Sequence, residues 1–203
     1  MDKKDKVAEK QKKYIYHYEK LCADLKAQNR KKIEVLYSET KASVFGLCCA
    51  APFVAAILFS YFLLNTNNGK QHNIFYGIII LIACFSLSII VHEVLHGVGW
   101  CIAGKVRWSH IHITFEGDMP LCHCDVPLKG RQYLAGALLP VILLGFIPAV
   151  IAFAIPNIFL MIFSVLSVVS AGGDLLLSLR VIRHWDDMII DHPTEAGFVA
   201  FTA

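Results

Sequence analysis

The stretch that decides the fold is IFYGIIILIACFSLSIIVHEVLHGVGWCIA, residues 74–103. It runs for thirty residues with no Lys, Arg or Asp and a single carboxylate, Glu93. A bilayer core of ~30 Å is crossed by a helix of ~20 apolar residues, so this segment predicts a membrane span. An ionisable residue inside a span costs ~2.5–3.5 kcal/mol on insertion scales, so Glu93 needs a compensating role. Its neighbours His92 and His96 make the same demand.

Three further runs read alike. Val44–Leu64 carries no charge, and Leu134–Ile155 and Ile158–Leu179 form a helical hairpin broken at Pro156-Asn157. The chain has 203 residues, of which 56% are hydrophobic and 17% charged, against ~25% charged in a soluble domain. That balance excludes a disordered chain, a disulfide-stapled miniprotein and most soluble enzymes. The expected fold class is an all-α polytopic membrane protein with four transmembrane helices.

Charge sets the expected orientation. Residues 1–41 hold twelve of the nineteen Lys and Arg, the 104–133 segment four, and the residues after the fourth span two. The other side holds only Lys70. The positive-inside rule therefore predicts a multi-pass protein of the cell membrane with both termini cytoplasmic. No signal-peptide pattern is seen, so the first span is expected to be retained. Residues 1–43 read as a cytosolic charged helix, with Val7, Tyr14, Tyr18, Leu21 and Leu25 on one stripe. That stripe suits a short coiled coil, a packed face or a helix on anionic lipid. Residues 44–185 form the membrane domain and 186–203 a cytosolic tail read as a turn and an apolar end. Between spans two and three, VRWSHIHITF (106–115) and MPLCHCDVPL (119–128) predict a small cytosol-side β-hairpin turning at Glu116-Gly117-Asp118.

The polar cluster carries the chemistry. Residues four apart share a helix face, so His92 and His96 can aim their imidazoles at one point. Glu93 lies beside the first histidine, which completes H-E-x-x-H: two zinc ligands on one turn, and a carboxylate able to take a proton from water. Nine His and seven Glu in 203 residues give about one chance match per hundred such chains. Catalytic zinc usually takes a third protein ligand. His92 and His96 lie 18 and 22 residues into span two and Asp174 16 residues into span four. At ~1.5 Å per residue the depths agree within helix tilt. Glu116, twenty residues past His96, is the alternative third ligand. His110, His112, Cys122, His123 and Cys124 form a second cluster that alternation sorts onto strand faces. Its spacing departs from the usual C-x-x-C of zinc sites. No phosphate loop or nucleophile elbow occurs, and the basic N-terminus shows no nucleic-acid module. Membrane proximity accounts for its charge.

HEVLHG in a span, Gly172-Gly173-Asp174 and the closing DHPTEAGF (191–198) resemble a bacterial membrane family of zincin-type peptidases, over about residues 75–200. More distantly, the plan is similar to site-2 proteases, although those usually carry Asp-Gly where this chain has Gly-Gly-Asp. The resemblance implies Zn²⁺ held by His92, His96 and Asp174, with Glu93 as general base. The expected activity is that of a zinc-dependent intramembrane endopeptidase, acting on a membrane or membrane-proximal peptide. The alternative is a metal-binding membrane protein without hydrolytic activity, whether transporter, sensor or scaffold. The expected partners are the bilayer and a membrane-protein substrate, not nucleic acid. Substrate and oligomeric state are not legible in the residues.

Overall fold

The computed structural model describes residues 3–64, 74–116, 119–193 and 195–202; among these, the side chains of 3–13, 39, 115, 116 and 119 lie outside the description. Lys70 and the Gly117-Asp118 turn, both invoked above, lie outside it too. Helix α1 (Lys3–Ala27) leads into strand β1 (Lys31–Tyr37) and helix α2 (Glu39–Leu64). Helix α3 (Ile74–Gly104) is followed by a short 3₁₀ turn at Trp108–His110 and the strands β2 (Ile111–Glu116) and β3 (Met119–Cys124). The remainder is β4 (Leu128–Lys129), α4 (Gly130–Pro140), α5 (Ile147–Ala154), α6 (Ile158–Ser170), α7 (Gly172–Val181), β5 (Met188–Asp191) and β6 (Ala196–Thr202).

Three helical stretches are long and apolar enough to cross a membrane: Thr40–Leu64, Ile74–Gly104 and Gly130–Ala154. The pair Ile158–Ser170 and Gly172–His184, bent by 51°, makes a fourth if it is one span. Within Gly130–Ala154, residues Val141–Phe146 are wound as a π-helix between α4 and α5. Pro148 lacks an N–H at the start of α5, and Ser164 Oγ donates to the Gly145 carbonyl at 2.7 Å. The expected continuous fourth helix is instead broken at Ala171, whose ψ of 13° leaves the helical region. Gly172 and Gly173, poor helix formers, follow that break. There α2 comes very close, since a Cβ on Gly46 would lie 2.8 Å from the Gly172 carbonyl carbon. A second close approach joins α3 to α4, where a Cβ on Gly99 would stand 2.5 Å from Gly136 Cα. Small residues at both crossings allow this backbone contact.

Two antiparallel sheets accompany the helices: the first is the expected hairpin, and the second corrects the all-α expectation. One is the hairpin β2–β3, shorter at both ends than 106–128 because the 3₁₀ turn and Pro127 flank it. The other has the order β1-β6-β5-β4 and joins the segment before α2 to the segment after α7. The charged N-terminal region is therefore helix only to Ala27, and the tail is two strands. β6 explains itself by alternation. Phe198 and Ala200 pack with Trp100, Tyr133 and Val181 of the helices, while Val199 and Phe201 pack with Cys22 and Leu25 of α1. The stripe on α1 thus packs on this sheet, as Tyr18 and Leu21 confirm; the Val7 side chain lies outside the described residues.

The Gly99–Gly136 crossing supplies a test. Gly99→Val should lower the thermal midpoint in detergent, at a cost of about 1–3 kcal/mol, because the added carbons meet backbone rather than a movable side chain.

Candidate metal centre

Along its length α3 turns from exposed apolar residues such as Ile82 and Ile90 to buried His96, Gly97, Gly99 and Trp100. His96 is 6% exposed. Its Nδ1 lies 3.1 Å from the carbonyl oxygen of Gly136. A carbonyl only accepts, so Nδ1 carries the hydrogen and the lone pair of Nε2 points the other way. Trp100 stacks on the same ring at 5.7 Å and anchors its own Nε1 on the Tyr133 carbonyl at 3.1 Å. The imidazole is therefore fixed in tautomer and in plane.

His96 Nε2 faces His92 Nε2 at 3.1 Å. Asp174, in the first turn of α7 just past the Ala171 break, closes the group. Its Oδ2 is 3.0 Å from His92 Nε2 and its Oδ1 3.4 Å from His96 Nε2. One ligand atom from each residue lies within 4.8 Å of the others. Among the described residues, no other set of His, Cys, Asp or Glu meets that geometry. Two imidazole nitrogens and a carboxylate turned toward one point are a donor set that a divalent cation satisfies, and it suits zinc. Gly173 beside Asp174 faces open space, with nothing within 4 Å of a Cβ there.

Glu93 is tied to the hairpin. Its Oε2 accepts a hydrogen bond from the backbone N–H of Cys122 on β3, at 2.8 Å. Two residues on, the N–H of Cys124 donates to Asp191 Oδ2 at 3.3 Å, and Tyr133 Oη donates to Asp191 Oδ1 at 2.6 Å. Successive alternate N–H groups share a strand edge, so the edge of β3 away from β2 is held by two carboxylates. One comes from α3 and one from the end of β5. Burial holds the Asp191 carboxyl above the ordinary carboxylate range. Burial likewise raises the Cys124 thiol, to about 12, so it stays protonated at neutral pH.

The structure brings together His92, His96 and Asp174 and separates the other candidates. Glu116 ends β2 opposite Met119, and its side chain lies outside the described residues. His110 Nδ1 and His112 Nε2 each sit 2.8 Å from a different oxygen of Asp125. His123, across the ladder from His112, packs against Tyr14 of α1 at 5.5 Å, a ring that also meets His112 at 6.3 Å. Cys122 and Cys124 are one and three residues from Leu121, on the alternate face of the strand. The second cluster thus divides between faces and partners. What sequence reasoning missed was Asp191, the Gly136 carbonyl and the Cys122 amide. Asp191 had a signal, a carboxylate ending the apolar run MII; backbone groups carry none.

A family model described as "Putative zincin peptidase" matches residues 85–189, a span that includes His92, Glu93, His96 and Asp174. No curated protein and no solved structure matches the chain.

Two measurements check this geometry. Metal analysis of the purified protein should find about one zinc per chain, lost in His96→Ala and Asp174→Ala but kept in His112→Ala. Asp191 should also show in the pH dependence of stability. A carboxyl raised on folding contributes fully below the ordinary carboxylate range, and less as pH climbs through its elevated value. The wild-type melting temperature should therefore fall, relative to Asp191→Asn, as pH rises from about 4.

Proposed function

The chain belongs to this zincin peptidase family, and from that membership we propose that it is a zinc-dependent intramembrane endopeptidase, cleaving a peptide within or beside the bilayer. The observation that carries the reading is the convergence of His92, His96 and Asp174 beside a strand edge that holds Glu93. The group sits toward the end of α3 that adjoins both sheets, while the preceding turns of α3 expose mainly apolar side chains to their surroundings. With eighteen of nineteen Lys and Arg assigned to one side, that end would be the cytosolic one.

His92, His96 and Asp174 would hold the ion, which when bound supplies Lewis acidity toward a carbonyl and lowers the pKa of water. His96 would keep its Nε2 lone pair on target through the Gly136 carbonyl, so that no rotation is needed on loading. Glu93 would accept the proton of the attacking water at its carboxylate and deliver it to the leaving amine nitrogen. Cys122 N–H would orient that carboxylate between these events. A peptide in a membrane is helical, with its carbonyls satisfied internally, so it must unwind before attack. The β2–β3 hairpin lies on α3 beside Glu93, and it would pair such an extended segment through main-chain groups that Glu93 and Asp191 do not occupy.

Glu93→Gln tests the mechanism against a panel of transmembrane peptides, with products read by mass spectrometry. The variant should bind zinc as the wild type does and lose about 10²–10⁴-fold in cleavage. Cleavage that persists in the variant, or that ignores a chelator, would overturn the reading. Zinc held without any cleavage would favour a non-hydrolytic metal protein.

A further inference from the structure

A second polar site lies away from the metal centre, where the edge strand β1 meets the end of α7. A cavity of about 360 Å³ is lined there by Tyr37, the 34–36 segment, Arg180, Arg183 and His184. That volume falls at the lower end of ligand-sized pockets (~300–1,000 Å³). Arg180 donates through Nε to Tyr37 Oη at 2.7 Å, which fixes its guanidinium at the rim. Among the described residues, neither Arg180 nor Arg183 forms an ion pair. The nearby carboxylates are already engaged: Lys32 pairs with Glu34 at 2.5 Å, and His184 with Asp187 at 2.8 Å. Two guanidiniums lining a cavity whose one carboxylate, Glu34, is already paired with Lys32 call for an anion.

The surroundings say which anion. Leu179 and Ile182, adjoining the two arginines in the chain, are 57% and 53% exposed. Phe45 of α2, edge-on to Tyr37 at 6.4 Å, is 50% exposed. A soluble phosphate has no use for that apolar flank, whereas acyl chains do. We propose that this cavity binds the phosphate of an anionic glycerophospholipid, with the acyl chains lying along Phe45, Leu179 and Ile182. The proposal rests on the chain spanning a membrane, as the proposed function does, and not on its hydrolytic activity. Tyr37 ends β1, and β1 is joined through β6 and β5 to Asp191, so the lipid would fasten the edge of the sheet that braces the hairpin.

The test is native mass spectrometry of full-length, delipidated protein in detergent, titrated with phosphatidylglycerol or phosphatidylcholine. Phosphatidylglycerol should be retained at one site in preference to phosphatidylcholine. Arg183→Ala, which breaks no hydrogen bond or ion pair among the described residues, should weaken that retention about 5-fold, and Arg180→Ala/Arg183→Ala about 30-fold, at the usual contribution per basic residue near an anionic surface. Lys105→Gln/Arg107→Gln, which removes the same charge elsewhere, should leave it unchanged. Equal weakening in that control would make the effect one of net charge and overturn the site. So would equal retention of the two lipids, or displacement of the lipid by inorganic phosphate at matched concentration. Failure to float with vesicles of either composition would instead overturn the membrane reading. Zinc content unchanged in Arg183→Ala would keep the two sites separate.

Discussion

The hydrogen bond from His96 Nδ1 to the Gly136 carbonyl is the contact on which the centre turns. It exists because α3 and α4 touch backbone to backbone, and they do so because Gly99 and Gly136 present no side chains at the crossing. Any Cβ at Gly99 would push the helices apart and take the acceptor with it. Without that acceptor the imidazole could choose either tautomer and either ring face, and its Nε2 would no longer be committed to His92 and Asp174. The bare glycine pair thus does chemical work through geometry alone. Trp100 adds to it by filling the space that Gly136 leaves and by stacking on the ring.

Around this contact the chain is arranged in layers. The hairpin lies on α3, with Ile111 against Gly97, and α1 lies over the hairpin's other face through Tyr14 and His123. The four-stranded sheet continues the same layer, with β6 buried on both faces between α1 and the helices. Asp191 is the joint between the two sheets: it ends β5, accepts from Cys124 on β3 and from Tyr133 on α4. A buried carboxylate is costly unless its bonds are complete, and these two donors make the junction specific rather than merely apolar.

The residues of the centre were legible because their types are wrong for where they stand. His92, Glu93 and His96 violate an otherwise apolar helix, and Asp174 does the same at a matching depth, so composition and helical spacing found all four. The helices were legible for the same reason, in that an uninterrupted apolar run has few other uses. The four-stranded sheet was not. β1 (KKIEVLY) is seven residues in a charged region, and its partner β6 (AGFVAFT) reads equally well as a short apolar end. Pairing across most of the chain leaves no local trace, since the alternation in β6 is hidden by burial on both faces. The break at Ala171 lay between legible and not: the two glycines marked a weak point, but only contact with Gly46 decided that the helix bends there.

The pairing of β1 with β6 also fixes an order of events. Tyr37 finds Ala196 and Lys31 finds Thr202, so the strand that precedes every apolar helix waits about 160 residues for its only neighbour. Chains are made from the N-terminus, and local helices form long before contacts of that separation. The helices carrying His92, His96 and Asp174 are therefore laid down before the sheet that ends in Asp191 can close. Until it closes, β3 lacks its second tether and the amide of Cys122 has no fixed place over Glu93. The fold thus postpones the bracing of Glu93 beside the candidate metal centre until β6 has been delivered.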